Sequence, residues 1–232
     1  MSSRYSISLS HTQLEQRFAI EVAEAYQPTY NAAPAQLLPV ITNTGSQGLS
    51  FFYWGLVPQW AKNKTISDKI IYTQEELIRE KPILKKNLRQ QRCIVPADGF
   101  YEWKKVGKKI LIPYRFTLKS KEAFAMAGLW EEYDDENGEF FHTFTLITTK
   151  ANALVSTVVE RMPVILTREI EKEWLGNQLS EDELIKQLLA LEADKMDCFT
   201  VSSRVNDTTN NDALIIRPAP ASDQYGNLTL FD

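Results

Sequence analysis

Apolar and polar residues alternate in short runs along most of this chain, and the runs break at Gly, Pro, Asn and Asp. That pattern predicts many short strands with a few helices between them. Residues 4–8 read as a first strand. A helix is expected over residues 13–24, capped by Thr12, with Leu14, Phe18 and Val22 on one face. Tyr30-Asn31-Ala32-Ala33-Pro34 reads as a turn or loop. Strands follow at 36–42 and 49–55, joined by a hairpin turn between Gly45 and Gly48. Val57-Pro58-Gln59-Trp60 is then a loop displaying a large ring, which is either a lid on the core or a stacking platform for bases.

Residues 73–87 look helical with an interruption at Pro82, and deliver the chain to a central hairpin turned at 104–109. Residues 93–95 form an apolar run expected to be a buried strand. Pro96, Asp98 and Gly99 punctuate it, and 100–103 resume as a strand. Further strands are expected at 110–118, 123–130 and 140–148, the last two separated by a turn at 134–138. A short helix or loop at 152–159 precedes a strand at 162–166. Thr167 caps a helix running through Trp174, and Ser180 with Glu183 makes a capping box for a helix over 181–191. After a late strand at 199–202, the Asn-, Asp- and Pro-rich remainder is expected to be irregular and to lie along the surface. Together these elements predict an α+β fold with a mostly antiparallel, curled, barrel-like sheet and a few flanking helices. No linker interrupts residues 1–232, so a single domain is expected.

Composition narrows the function classes. With 44% hydrophobic and 24% charged residues the chain is that of an ordinary globular protein. No apolar run reaches the roughly 18 residues of a membrane span. The N-terminal stretch lacks the regions of a signal peptide, which implies a cytoplasmic protein. Cys93 and Cys198 are far apart and read as core residues; with His11 and His142 the only histidines, no metal or cofactor is expected. No serine sits in a nucleophile elbow, neither histidine suggests a triad, and the 9 glycines form no phosphate-cradling loop. The net charge of −4 is unevenly spread. Arg79, Lys81, Lys85, Lys86, Arg89 and Arg92 cluster before the central strands, and Lys104, Lys105, Lys108 and Lys109 follow on a hairpin. These clusters are either a phosphate-binding face or solvated lysines and arginines on a helix and a turn.

Glu102 stands out among Phe100, Tyr101 and Trp103. A part-buried carboxyl there would have its pKa raised toward the range useful for proton transfer. The alternative is a glutamate on the solvent face of an alternating strand, paired with Lys104 or Lys105.

Several motifs together resemble the SRAP (SOS response-associated peptidase) family, whose members process abasic sites in single-stranded DNA. They are Arg4-Tyr5, Tyr30-Asn31-Ala32-Ala33-Pro34, Trp54-Gly55-Leu56-Val57-Pro58 with Trp60, Glu80-Lys81-Pro82 and the block from Arg92 through Gly99-Phe100-Tyr101-Glu102-Trp103. Ile147-Thr148-Thr149 with Ala151-Asn152, Arg161-Met162-Pro163-Val164-Ile165-Leu166, and Val201-Ser202 with Val205-Asn206 complete the set. The resemblance implies a covalent chemistry at the second residue, normally cysteine, exposed when the initiator methionine is removed. Its α-amine forms an imine with the abasic aldehyde and its thiol closes a stable thiazolidine. It further implies catalytic roles for Ser2, Glu102 and Thr148, and DNA contacts by Arg4, Asn31, Trp54, Pro58, Trp60 and Arg161.

The chain departs from the family pattern at that centre. The second residue is Ser2. The positions of the family's paired asparagine and arginine hold Tyr72 and Gln74, and its histidine position holds Val159. Stable crosslinking is therefore expected to be lost, leaving binding of single-stranded or abasic-site DNA. The alternatives are a residual abasic-site lyase or autopeptidase using imine chemistry at Ser2 with Glu102, and a non-catalytic interaction protein.

Overall fold

The computed structural model describes residues 3–45, 48–57, 70–134 and 138–229. In chain order the described elements are β1 (Tyr5–Ile7), α1 (His11–Phe18), β2 (Thr29–Ala32), β3 (Leu37–Thr42), β4 (Ser50–Trp54) and β5 (Tyr72–Gln74). Two helices follow, α2 (Glu75–Glu80) and α3 (Pro82–Gln90), and then β6 (Arg92–Ala97), β7 (Gly99–Val106), β8 (Ile110–Leu118), β9 (Phe124–Asp134) and β10 (Phe140–Lys150). The remainder holds β11 (Arg161–Pro163), β12 (Ile165–Leu166), α4 (Arg168–Leu175), α5 (Glu181–Lys186) and β13 (Met196–Thr200). The α+β class and the curled, barrel-like, mostly antiparallel sheet expected from the sequence are both found.

β4, β3, β6, β9 and β10 close on one another as a five-stranded barrel. Strict up-and-down alternation around a closed ring requires an even number of strands, so five strands need one parallel pair. That pair is β4 with β10, which run in the same direction through Tyr53↔Thr143 and Trp54↔Phe144. β5 adds a second parallel strand beside β10, and β11 and β12 extend β10 and β9. β13, β8, β7, β1 and β2 form a separate antiparallel sheet.

β6 shows why its sequence reads as an unbroken apolar run. Cys93, Val95 and Ala97 pack with Val40, Phe52, Met126 and Phe144. Ile94 belongs to the opposite layer, with Leu129, Ile147 and the helix residues Ile78, Leu88 and Trp174. A strand covered on both faces has no polar side to show. The chain then leaves the barrel for the second sheet across Asp98. Asp98 accepts from Ser6 Oγ at 2.5 Å and from Arg115 Nη2 at 2.9 Å, and also from the Ser8 hydroxyl. A Cβ on Gly99 would stand 2.6 Å from Arg115 Nε, so any other residue there would have to push that guanidinium away from Asp98.

Several element bounds differ from the sequence reading. The cap of α1 is Ser10, which accepts from Gln13 N while the Gln13 side chain accepts from Ser10 N, and Thr12 lies in the first turn. That helix ends at Phe18, because Ala19 takes a left-handed conformation with φ 53°. Residues 29–32 are a strand paired with β1, and the turn begins after them. Residues 72–74 are extended, Pro82 opens α3, and α5 stops at Lys186. The expected strand at 162–166 is two strands with different partners, β10 and β9. The last strand is Met196–Thr200. The irregular C-terminal segment does more than skirt the surface: Val201, Val205 and Ile215 are buried with Tyr101. The β7–β8 hairpin and the Ser180–Glu183 capping box are as expected.

Cys93 is buried and unbonded, and burial pushes its thiol pKa well up; Cys198 is half-buried, and burial with Asp197 raises it too. Since the thiolate is the reactive form, a thiol reagent applied to the native protein should modify Cys198 slowly and Cys93 only after denaturation. Rapid native modification of both would contradict this packing. No helix among the described residues is long and apolar enough to cross a membrane.

Candidate functional site

Glu102 owes its position to the period of β7. Tyr101 and Trp103 face the C-terminal segment, donating to Tyr30 O at 2.7 Å and to Asn206 Oδ1 at 2.6 Å. Phe100 and Glu102 point the other way. Phe100 stacks on Phe116 with centroids 5.1 Å apart, and Glu102 is only 2% exposed. The solvent-facing alternative for Glu102 is therefore excluded. Lys104 instead lies 5.9 Å from the Tyr114 ring centroid.

A small pocket between the second sheet and the barrel brings together Arg4, Trp54, Tyr72, Glu102, Leu146 and Pro163. Burying a carboxylate needs compensation, and Arg4 and Tyr72 are polar groups that line the same pocket. The Tyr72 hydroxyl is pushed well up, first by burial and then by the Glu102 charge, with Arg4 opposing. It stays a neutral O–H donor. Burial lowers the Arg4 pKa, partly offset by Tyr72. Arg4 Nη1 donates to Ser3 O at 2.9 Å, while its buried Nε has no partner among the described residues. The arrangement can hold an anion, donate a hydrogen bond and move a proton.

The other sequence candidates divide sharply. Trp54 is fully buried, donating from Nε1 to Ile71 O at 3.0 Å, with Tyr5 and Tyr72 edge-on and Phe144 stacked at 6.2 Å. It has no ring face to offer a base and serves as the wall behind Tyr72. Asn31 does not line the pocket. Its Nδ2 donates to Val205 O, Asp207 O and Asn210 O at 3.0–3.2 Å, so it staples β2 to the C-terminal segment. Ser2, Pro58 and Trp60 lie outside the described residues.

Thr148 and Arg161 meet on β10 and β11. Thr148 is fully buried; its carbonyl accepts from Arg161 Nη2 at 2.9 Å and its hydroxyl from Nε at 3.4 Å. The other edge of Arg161 forks onto Glu76, Nη1 to Oε1 at 3.0 Å and Nη2 to Oε2 at 2.7 Å. This hydrogen bonding holds the Glu76 carboxyl below its usual range. Glu76 was not singled out by the sequence, where it is one of two glutamates opening a helix. Gln74 is exposed at the end of β5, and Val159 packs partly buried against the core.

The basic segment 79–92 does not line this pocket. Arg79 pairs with Glu75 at 3.0 Å, Lys85 and Arg89 pair with Glu181 at 3.3 and 3.1 Å, and Arg92 is buried. Among the described residues no group of three or more His, Cys, Asp or Glu gathers to hold a metal ion.

Residues 1–208 match the family model described as SOS response associated peptidase (SRAP). The chain is 45% identical over 193 residues to the abasic site processing protein YoqW of Bacillus subtilis (strain 168), a match covering 82% of this chain and 86% of that protein. It is 28% identical over 222 residues to the abasic site processing protein HMCES of Xenopus tropicalis, covering 82% of this chain and 65% of that one. Among solved structures, a protein from Bacteroides thetaiotaomicron superposes with a TM-score of 0.85 at 28% identity, over 94% of this chain and 100% of that chain.

Proposed function

This chain belongs to the SOS response associated peptidase family, and from that membership we propose that it binds abasic sites in single-stranded DNA and reacts with them only reversibly. The observation that carries the reading is the burial of Glu102 beside Arg4 and Tyr72, at the end of the N-terminal strand. Residues 1–232 act as one domain in this reading. Its support is the way Asn31 ties β2 to backbone carbonyls as far along as Asn210, past the end of the family match.

The reaction starts once Met1 has been removed. A free α-amine has a pKa of roughly 7.7–8.0, so about a tenth to a sixth of it is neutral at pH 7. Its lone pair attacks the aldehyde carbon of the opened sugar. Glu102, as a carboxylate, takes up the protons that the attacking nitrogen sheds and passes them to the former aldehyde oxygen; the carbinolamine hydroxyl leaves as water, and an imine remains. Ser2 then has only an un-ionised hydroxyl to close a ring, and the imine hydrolyses. Arg4 neutralises a phosphate beside the sugar, and Tyr72 donates to it or to the aldehyde oxygen.

Borohydride trapping tests this. Incubation with an abasic single-stranded oligonucleotide should give an adduct on a denaturing gel only when borohydride reduces the imine, and Glu102→Gln should weaken it about 10²-fold or more in rate. Binding without any trappable adduct would remove the imine chemistry and leave a binding protein.

A further inference from the structure

We propose that Glu76 is an intramolecular stand-in for a DNA phosphate, occupying Arg161 until a phosphate of the bound strand displaces it. The inference rests on the single-stranded DNA reading above and names the residue that regulates that contact. Arginine grips carboxylates and phosphates in the same planar, two-pronged geometry. Glu76 takes both prongs, at 3.0 and 2.7 Å.

The pair is not symmetric. Arg161 is held from behind by the carbonyl and hydroxyl of Thr148, a fully buried residue of β10. Glu76 projects from the first turn of α2, and its side chain is 38% exposed against 20% for Arg161. The guanidinium is thus the fixed inner member and the carboxylate the outer one, which can swing away. Glu75 is already paired with Arg79, so Glu76 is the acid that answers Arg161.

Two further placements fit a phosphate there. Lys150 is exposed, lies opposite Arg161 across the β10–β11 pair, and its charge is felt at Glu76. Displacing Glu76 leaves two neighbouring cations facing the incoming anion. Arg161 is also two residues from Pro163, which lines the Glu102 pocket. At about 3.3 Å per residue this places it roughly 7 Å along the strand from that lining residue, on the same side strand of the barrel that reaches the pocket. A partly exposed ion pair is weak enough to exchange. The exchange imposes a threshold: a polyanion gains nothing at Arg161 unless its phosphate outcompetes the resident carboxylate.

The test is binding of a fluorescent oligothymidylate, followed by anisotropy over a salt series, for the full chain and the variants E76Q, R161Q and E76Q/R161Q. E76Q should bind about two- to five-fold tighter. The slope of log K against log salt should steepen by about 0.7, since one more phosphate is then neutralised without an internal anion being set free. R161Q should abolish both gains in the double variant. A merely structural Glu76 would not move the slope. Unchanged affinity and slope in E76Q, or affinity falling to the level of R161Q, would overturn the proposal. Should E76Q fail to fold, Glu76→Asp, too short to hold both prongs, should give a smaller gain, and no gain from it counts against the idea. Failure of both the unmodified chain and E76Q to bind would sink the single-stranded DNA reading and this inference with it. Binding by the unmodified chain without a gain in the variant sinks only the inference.

Discussion

Replacing Arg92 by methionine is expected to destabilise the fold by about 3–5 kcal/mol, because buried helix-end carbonyls lose their donor at a cost of about 1–3 kcal/mol for each left unsatisfied. Arg92 is 2% exposed. Its guanidinium donates to Leu88 O at 2.6 Å and Arg89 O at 2.7 Å in the last turn of α3. It also donates to Trp174 O and Gly176 O, both at 2.6 Å, at the end of α4. The last carbonyls of a helix have no partner within it and carry the negative end of the dipole. One arginine thus caps two helices and ties both to β6, where Trp174 Nε1 donates back to Cys93 O at 3.0 Å. Methionine fills the volume but leaves those carbonyls without donors. In a chain of this size the melting temperature should fall by roughly 10 °C, read by calorimetry. Arg92→Lys should recover only part of the loss, because one ammonium cannot reach both helix ends. A fall of under about 1 kcal/mol would show that the carbonyls find other donors.

Arg92 also marks what the sequence could and could not reveal. As one of several basic residues between 79 and 92 it was a candidate for a phosphate-binding face, and nothing local distinguishes it from Arg89 one turn earlier. Burial decides between them: Arg89 reaches Glu181, while Arg92 turns inward onto the end of the helix before it and onto that of a helix 82 residues away. Trp54 and Asn31 teach the same lesson. Their motifs mark them as important, but an indole closed in by Tyr5, Tyr72 and Phe144 cannot be told from an exposed one by spacing. Asn31 is needed by backbone carbonyls some 175 positions on. Arg161 was legible as a charge, and its acid partner 85 residues away was not.

What was legible is local. Alternation located most strands, the capping box at Ser180 is where Ser and Glu at that spacing place it, and Gly107 at φ 61° turns the β7–β8 hairpin. Asp98 and Gly99 read as punctuation, and the structure shows what they punctuate: the passage from a closed barrel to a second sheet. Glu102 was legible as an oddity among aromatic residues. Its burial followed from a tertiary choice, the docking of Tyr101 and Trp103 under the C-terminal segment, which commits the alternate face of β7 to the interior.

Restoring a thiol at the second position should convert a reversible encounter into a permanent one. Ser2→Cys is expected to give a heat-stable protein–DNA adduct with an abasic single strand in the absence of borohydride, where the unmodified chain gives none. The physical difference lies in one step. Once the imine has formed, the side chain of the same residue is held beside the electrophilic carbon, and such intramolecular attack carries effective molarities of up to about 10⁵–10⁸ M. A thiol of pKa roughly 8.5 supplies a few per cent of a strong nucleophile near pH 7; a serine hydroxyl supplies essentially none. Attack by sulfur on the imine carbon moves the C=N electron pair onto nitrogen, which takes up a proton, and the five-membered ring is complete without help from any other side chain. If the proposed imine forms, Tyr72 in the pocket bears on how the sugar is seated more than on whether the ring closes, and Tyr72→Asn added to Ser2→Cys should speed the adduct rather than create it. An adduct that appears only in the double variant would show that Tyr72, packed edge-on to Trp54 beside Glu102, bars the aldehyde from the pocket. No adduct in either, with binding intact, would mean that the sugar is never presented to the N-terminus and that this chain has kept the family's fold for binding alone.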